Sequence, residues 1–323
     1  MRPRSLLWLL PVPVAAGLLA VRDASAPEDI ADIPFFLSSA ETLLSSRWLE
    51  TFASPDLQVG PVQLLLLGAG ERLAAALGVS ALGLLAFLVE LGVALLLLYT
   101  VGKILEGRRY VREAQLGVGL AAVALGLTSD AYASGHPAQV VVPLVWILAG
   151  LRARRGQPLS AGLLLGAAAG LETWAVLGAP VLLLADTRRS AARGLLACVA
   201  VAAAIFAPFA LFGSFGMLDY EWEVSTWSPL SLVLGAGTDF PWSLRLLQGG
   251  AAVGLGAVAA LVLRKRESAV WAVPLVVVCV RLALDPTLYP WYWLALATVA
   301  LVGAVELAGS LSRLRRTPIP VAR

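Results

Sequence analysis

The feature that most constrains this chain is the succession of apolar runs, at roughly 5–21, 79–102, 114–129, 137–152, 158–171, 172–186, 194–213, 242–263, 268–284 and 291–311. The 323 residues are 59% hydrophobic and 14% charged, where a soluble domain carries about 25% charged residues. A single aqueous core cannot absorb that much apolar side chain, so lipid is the expected solvent. The fold expected is therefore an all-α polytopic membrane protein, one integral domain over 1–323, with about ten transmembrane helices. Eleven or twelve spans are the alternative, if two short crossings hide in 61–102.

Charge orders these runs. Basic residues cluster at Arg2 and Arg4, at Lys103, Arg108, Arg109 and Arg112, at Arg152, Arg154 and Arg155, at Arg188, Arg189 and Arg193, at Arg264, Lys265 and Arg266, and at Arg313, Arg315, Arg316 and Arg323. Short cytoplasmic loops are rich in Lys and Arg, so these clusters and both termini are expected inside. The acids gather in two outer loops, 22–60 and 214–241. Segment 61–78 carries Glu71 and Arg72 and is read as interfacial or re-entrant, because one crossing there would put the 103–112 cluster outside. The first run is read as a retained helix; the alternative is a signal peptide ending at the small residues 24–26. Richness in Ala, Leu, Gly and Arg suggests a GC-rich coding sequence and a bacterial plasma membrane. Cys198 and Cys279 lie inside apolar runs and read as small buried hydrophobes.

Residues 158–186 begin and end beside basic clusters, so they should go out and return. Each leg has about 14 residues, or about 21 Å as α-helix, against a hydrocarbon core of about 30 Å. The tip "GLETW" should therefore sit below the outer surface, where Glu172 and Trp174 need a cavity or protein walls around them.

Several outward residues can carry chemistry. Asp32 directly precedes "IPFF", where the first outer loop re-enters the apolar zone and apolar positions at helical spacing predict a short helix. A carboxylate there is partly desolvated and can take a hydroxyl proton. Glu28 and Asp29 are its loop neighbours. Arg281 lies in the outer third of a span, four residues before Asp285; it either anchors the helix end as an i,i+4 pair or receives a lipid-linked phosphate. Arg245 stands at the outer end of its helix and either snorkels or assists. His136, the sole histidine, lies in an outer turn at a helix start. The loop 214–241 interleaves Asp219, Tyr220 and Glu221 with further aromatics, which suits an aromatic belt or a surface for sugar rings. "DPTLYPWYW", with Tyr289 and Trp291, repeats the theme. The spacing of Asp219, Glu221 and Glu223 is generic for a divalent cation, and neither a metal nor a cofactor is expected.

The chain lacks GxxxxGK[ST], HExxH, GxSxG, CxxC and a Gly-rich dinucleotide fingerprint, and its inner loops are too short for a nucleotide-driven pump domain. Nor does the basic charge, scattered between apolar runs, suit nucleic acid.

Four landmarks run in order along most of the chain: "DIPFFLSSAETLLSSRWLETF" after the first helix, "QVGPVQLLLL" at 58–67, the stretch from "GHPAQVVVP" to "LLLADTRR" at 135–189, and "DPTLYPWYW". Together they resemble the GT-C class of polytopic glycosyltransferases that use polyprenyl-phosphate sugars, especially the bacterial mannosyltransferase-like branch. The resemblance implies a GT-C-like bundle working on the outer face. Asp32 would match the catalytic base, and Arg281, with His136 or Arg245, would hold the departing phosphate. Asp29, Glu172, Trp174, Asp219, Tyr220, Glu221, Asp285, Tyr289 and Trp291 would line the cavity and acceptor side. The partners implied are a polyprenyl-phosphate sugar, the bilayer and a glycan or glycolipid acceptor. Two positions depart from the pattern: Glu172 stands where many relatives carry lysine, and Gly135–His136 stands where they carry Gly-Gln. The competing readings are a transporter or lipid-carrier flippase, with Glu90, Glu172 and Glu306 along a path, and a non-catalytic partner in an envelope-building complex.

Overall fold

A computed structural model describes residues 9–23, 32–128 and 130–314. Asp29 and Glu28 lie outside the described residues. The structure is 74% helical. The helices are α1 (Pro11–Asp23), α2 (Ile33–Leu43), α3 (Pro61–Leu77), α4 (Ala81–Ile104), α5 (Val111–Ala124), the one-turn α6 (Asp130–Ala133), α7 (Ala138–Arg154) and α8 (Pro158–Ala169). A 3₁₀ segment, Thr173–Leu184, follows, and then α9 (Arg188–Phe212), the one-turn α10 (Ser231–Leu234), α11 (Trp242–Leu263), α12 (Ala269–Ala283) and α13 (Trp293–Leu314). Two-residue strands β1 (Trp222–Glu223) and β2 (Asp239–Phe240) pair antiparallel within the loop between α9 and α11.

Among the described residues, four helices are long and apolar enough to cross a membrane: Ala81–Ile104, Arg188–Phe212, Trp242–Leu263 and Pro290–Gly309. Their outer faces suit lipid, since Leu196, Leu211 and Phe212 on α9 and Leu246, Leu247 and Val262 on α11 are exposed. Other apolar helices are shorter, among them α1, α8 and α12.

The basic loops gather at one end of the bundle. Glu106 pairs with Lys103 and Arg155, at 3.1 and 2.8 Å, and Arg108 pairs with Glu267 at 2.7 Å. Arg154 donates to the Arg266 carbonyl and Arg264 to the carbonyls of Ala185 and Asp186. That clustering is what alternating basic and acidic loops require of a bundle.

Segment 61–78 is helical but does not run to the basic end. The start of α3 is tied to the hairpin tip, with Gly60 N–H donating to Leu171 O and Val62 N–H to Gly170 O, both at 2.8 Å. Its far end turns at Gly78, which has φ +66°, a left-handed conformation that glycine adopts without strain. Ser80 then caps α4 by accepting from Gly83 N–H. Both ends of α3 thus lie at the acidic end, and Arg72 reaches the Leu44 carbonyl there instead of entering the bundle.

The hairpin 158–186 solves its length problem in an unforeseen way. Its first leg is α-helical, but its second is twelve residues of 3₁₀ helix, far longer than the usual three or four. At about 2.0 Å per residue those twelve span about 24 Å, where an α-helix would span about 18 Å. Local chemistry favours the tighter winding. Pro180 offers no amide, the Trp146 ring lies where a side chain at Gly178 would project, and the Trp146 indole takes the Ala175 carbonyl at 2.8 Å.

Glycine sets how closely the first leg meets α9. Gly162, Gly166 and Gly170 recur every fourth residue. A methyl on Gly162 would run into the Gly194 carbonyl, and one on Gly166 into Val201 and the Cys198 carbonyl. Small residues at this spacing let two membrane helices approach backbone to backbone. Cys198 is buried in this contact. Cys279 is exposed, contrary to expectation, because an apolar run facing lipid has the same composition as one facing protein.

Candidate functional site

At the acidic end, three elements bring three titratable side chains together. Asp32 is the residue before α2, which starts there because Pro34 fits a first helical turn and Ile33, Phe36, Ala40 and Leu43 form one buried stripe. His136 follows Gly135, whose φ of +79° turns the chain between α6 and α7. Glu172 stands at the hairpin tip, where it bridges to Val59 in a short antiparallel contact.

His136 is clasped from both sides. Its Nε2 lies 3.0 Å from Asp32 Oδ2 and its Nδ1 lies 3.0 Å from Glu172 Oε1. The side chains of His136 and Glu172 are 14% and 8% exposed, whereas that of Asp32 is 42% exposed. Asp32 is therefore the member of the cluster that an incoming molecule meets. Burial pulls the imidazole pKa down, but hydrogen bonds and charge from Asp32 and Glu172 outweigh it and raise His136 from 6.5 to about 9. Near neutral pH the ring is therefore held as the imidazolium.

Aromatic rings fix its position. Trp291 stacks on His136 with centroids 5.1 Å apart and planes 10° apart, and Tyr289 stacks on Trp291 at 4.7 Å and 4°. The edge of Phe36 meets the His136 ring at 5.5 Å. A flat cation on an indole face is a favourable contact.

Trp174 joins this cluster to a second. Its indole N–H donates to Glu172 Oε2 at 2.6 Å, and the Arg281 guanidinium lies 4.2 Å from its ring centroid. Tyr292 covers Arg281 from another side at 4.6 Å. Asp285 is fully buried between two arginines, 3.1 Å from Arg245 and 3.8 Å from Arg281 Nε. Gln139 accepts from Arg281 at 3.2 Å, and Gln248 donates to Asp285 and to the Arg281 carbonyl. The anchoring pair expected between Arg281 and Asp285 is thus present, within a larger network.

Two of the residues expected to meet a phosphate are enclosed in this geometry. Both nitrogens of His136 are engaged by carboxylates, which leaves no ring N–H for a phosphate. Arg281, 3% exposed, lies beneath aromatic rings, whereas Arg245 is 20% exposed and is the more accessible guanidinium.

Asp219, Tyr220 and Glu221 line a different cleft of about 480 Å³, together with Trp222, Asp239 and Trp242. Arg245 connects it to the second cluster, since its guanidinium sits 4.9 Å from the Trp222 ring. The loop is also tied down by Ser225 N–H donating to Pro286 O and Ser228 Oγ–H to Asp285 O. Among the described residues no group of His, Cys, Asp and Glu is arranged to hold a metal ion.

The intramembrane acids have structural partners. Glu90 accepts from the Tyr132 N–H at 2.8 Å, and Glu306 accepts from the Trp271 indole at 3.3 Å.

Sequence reasoning passed over Gln63, Gln139 and Gln248, which are buried. The available signal was a lone amide inside an apolar run, as in "PVQLLLL", "HPAQVVV" and "RLLQGG". An amide there must find polar partners. No family model, curated protein or solved structure matches this chain.

Proposed function

We infer that the chain is an inverting membrane glycosyltransferase that moves a sugar from a polyprenyl-phosphate donor to an acceptor hydroxyl on the outer face of a plasma membrane. The observation that supports this best is Asp32. It is an accessible carboxylate whose second oxygen is held by His136, in a contact chain that runs through Glu172 and Trp174 to Arg281, Asp285 and Arg245. In this reading the bundle crosses the bilayer about ten times with both termini cytoplasmic, as the segregation of basic residues favours.

The chemistry follows from those positions. The free oxygen of Asp32 accepts the proton of the acceptor hydroxyl as that oxygen attacks the anomeric carbon. The bond from that carbon to the phosphate oxygen breaks, and the phosphate leaves with the electron pair. Arg245 meets the phosphate directly, while Arg281 acts from beneath the aromatic rings through its field. His136 and Glu172 are positioning residues: the imidazolium orients Asp32, and Glu172 orients the imidazolium. Tyr289, exposed and stacked on Trp291, offers a flat face to a sugar ring. The transporter alternative gains nothing from Glu90 and Glu306, whose carboxylates accept from Tyr132 and Trp271.

The experiment is to supply membranes carrying the protein with a panel of radiolabelled polyprenyl-phosphate hexoses. Label should pass to a lipid- or glycan-bound product of inverted anomeric configuration. Retained configuration, or no transfer from any donor while the purified protein moves a polyprenyl-phosphate probe across liposomes, would contradict the assignment.

A further inference from the structure

Between α3, α4 and α7 runs a cavity of about 430 Å³, within the size range of small-molecule sites. Its rim includes the exposed Leu66 and Leu88, so it opens on the apolar flank of the bundle. Its lining includes Pro137 and Leu171, the direct sequence neighbours of His136 and Glu172. Gln63 is the one polar side chain among its lining residues.

Gln63 is 4% exposed, and its amide makes one hydrogen bond where up to four are possible. Its Nε2 donates to the Gly135 carbonyl at 3.2 Å, which fixes the amide orientation, since a flip would set two oxygens against each other. Its Oε1 is buried with no hydrogen-bond partner. A buried acceptor left bare costs about 1–3 kcal/mol, so a bound group that donates a hydrogen bond there gains affinity.

We propose that this groove binds a lipid bearing a free hydroxyl beside its apolar chain, with the hydroxyl donating to Gln63 Oε1. The chain fills the apolar length of the groove, and its head lies at the Asp32 end. A phosphate without a proton cannot donate to an amide oxygen, and a water-soluble glycan gains nothing from the apolar walls. On the transferase reading, on which this use of the groove rests, the occupant is the lipid-anchored acceptor and not the polyprenyl-phosphate donor.

The test uses the full chain in phosphatidylcholine nanodiscs with trace photoreactive probes: a diacylglycerol, a phosphatidylcholine with the same chains, and a polyprenyl phosphate. Crosslinked peptides are mapped by mass spectrometry. The diacylglycerol should label the α3 and α4 segments about tenfold more than the phosphatidylcholine, as one hydrogen bond allows. Gln63→Leu should remove that preference while apolar labelling persists. Gly92 lines the groove, and a side chain there meets open space. Gly92→Leu should therefore fill the groove, favour the helix and lower labelling by every probe. Equal labelling by both glycerolipids, a preference for polyprenyl phosphate, or an undiminished preference in Gln63→Leu would overturn the proposal. The two readings fail separately. Loss of transfer in Asp32→Asn without any lipid preference sinks the groove alone, and an intact preference with full transfer in Asp32→Asn sinks the base alone.

Discussion

His136 and Trp291 lie face to face, their ring planes 10° apart and their centroids 5.1 Å apart, while carboxylates from Asp32 and Glu172 hold both edges of the imidazole. Residues 32, 136, 172 and 291 come from four separate parts of the chain. The ring that joins them is the only histidine in the sequence, which makes its titration observable without assignment.

That titration is the first prediction. In ¹⁵N-histidine NMR of the detergent-solubilised protein, His136 should titrate near 9, and Glu172→Gln should move it back towards 6.5. A wild-type value at or below 6.5 would remove the clasp.

The same shift sets a pH dependence. A pKa raised on folding means that the protonated ring stabilises the fold. The contribution is complete below 6.5, the unfolded value, and is lost as pH rises through about 9. The melting temperature should hold below about pH 6.5, fall between there and about pH 9, and lose nothing further from this group above that. His136→Gln should flatten this alkaline fall, as a melting series across pH would reveal.

Close helix contact makes the third prediction. Gly162→Val should lower stability by about 1–3 kcal/mol, because α8 and α9 must separate to admit the branched side chain. Gly92→Ala, where space is open, should be neutral or mildly stabilising. Thermal unfolding of the two variants side by side makes the comparison; equal behaviour would argue against the packed glycine seam.

Burial ranks the charges in the second cluster. Asp285→Asn leaves Arg245 and Arg281 without their shared carboxylate, whereas Arg281→Met leaves Asp285 still paired with Arg245. Removing one partner of a buried pair costs about 3–5 kcal/mol, so Asp285→Asn should fall in that range and Arg281→Met below it. The reverse order in denaturant titrations would contradict the network.

Much of the bundle was legible in the sequence, because hydropathy and basic clusters act over short stretches. The out-and-back path of 158–186, the helix after Asp32 and the Arg281–Asp285 pair all rest on neighbours within a few residues. The clasp on His136 was not legible, since 104 residues separate it from Asp32 and 36 from Glu172. Periodicity carries no information at such distances. The 3₁₀ leg escaped for another reason: the tighter winding depends on Trp146, which belongs to a different helix. The exposure of Cys279 could not be read because lipid and protein interiors select the same side chains.

The central claim is that Asp32 takes the proton from the acceptor. Transfer from a radiolabelled polyprenyl-phosphate sugar by Asp32→Asn, alongside wild type, addresses it most directly, with the His136 NMR signal reporting an intact fold. The account predicts a fall of about 10²–10⁴-fold in the transfer rate with the histidine resonance still present. Transfer at the wild-type rate by the folded variant would contradict it.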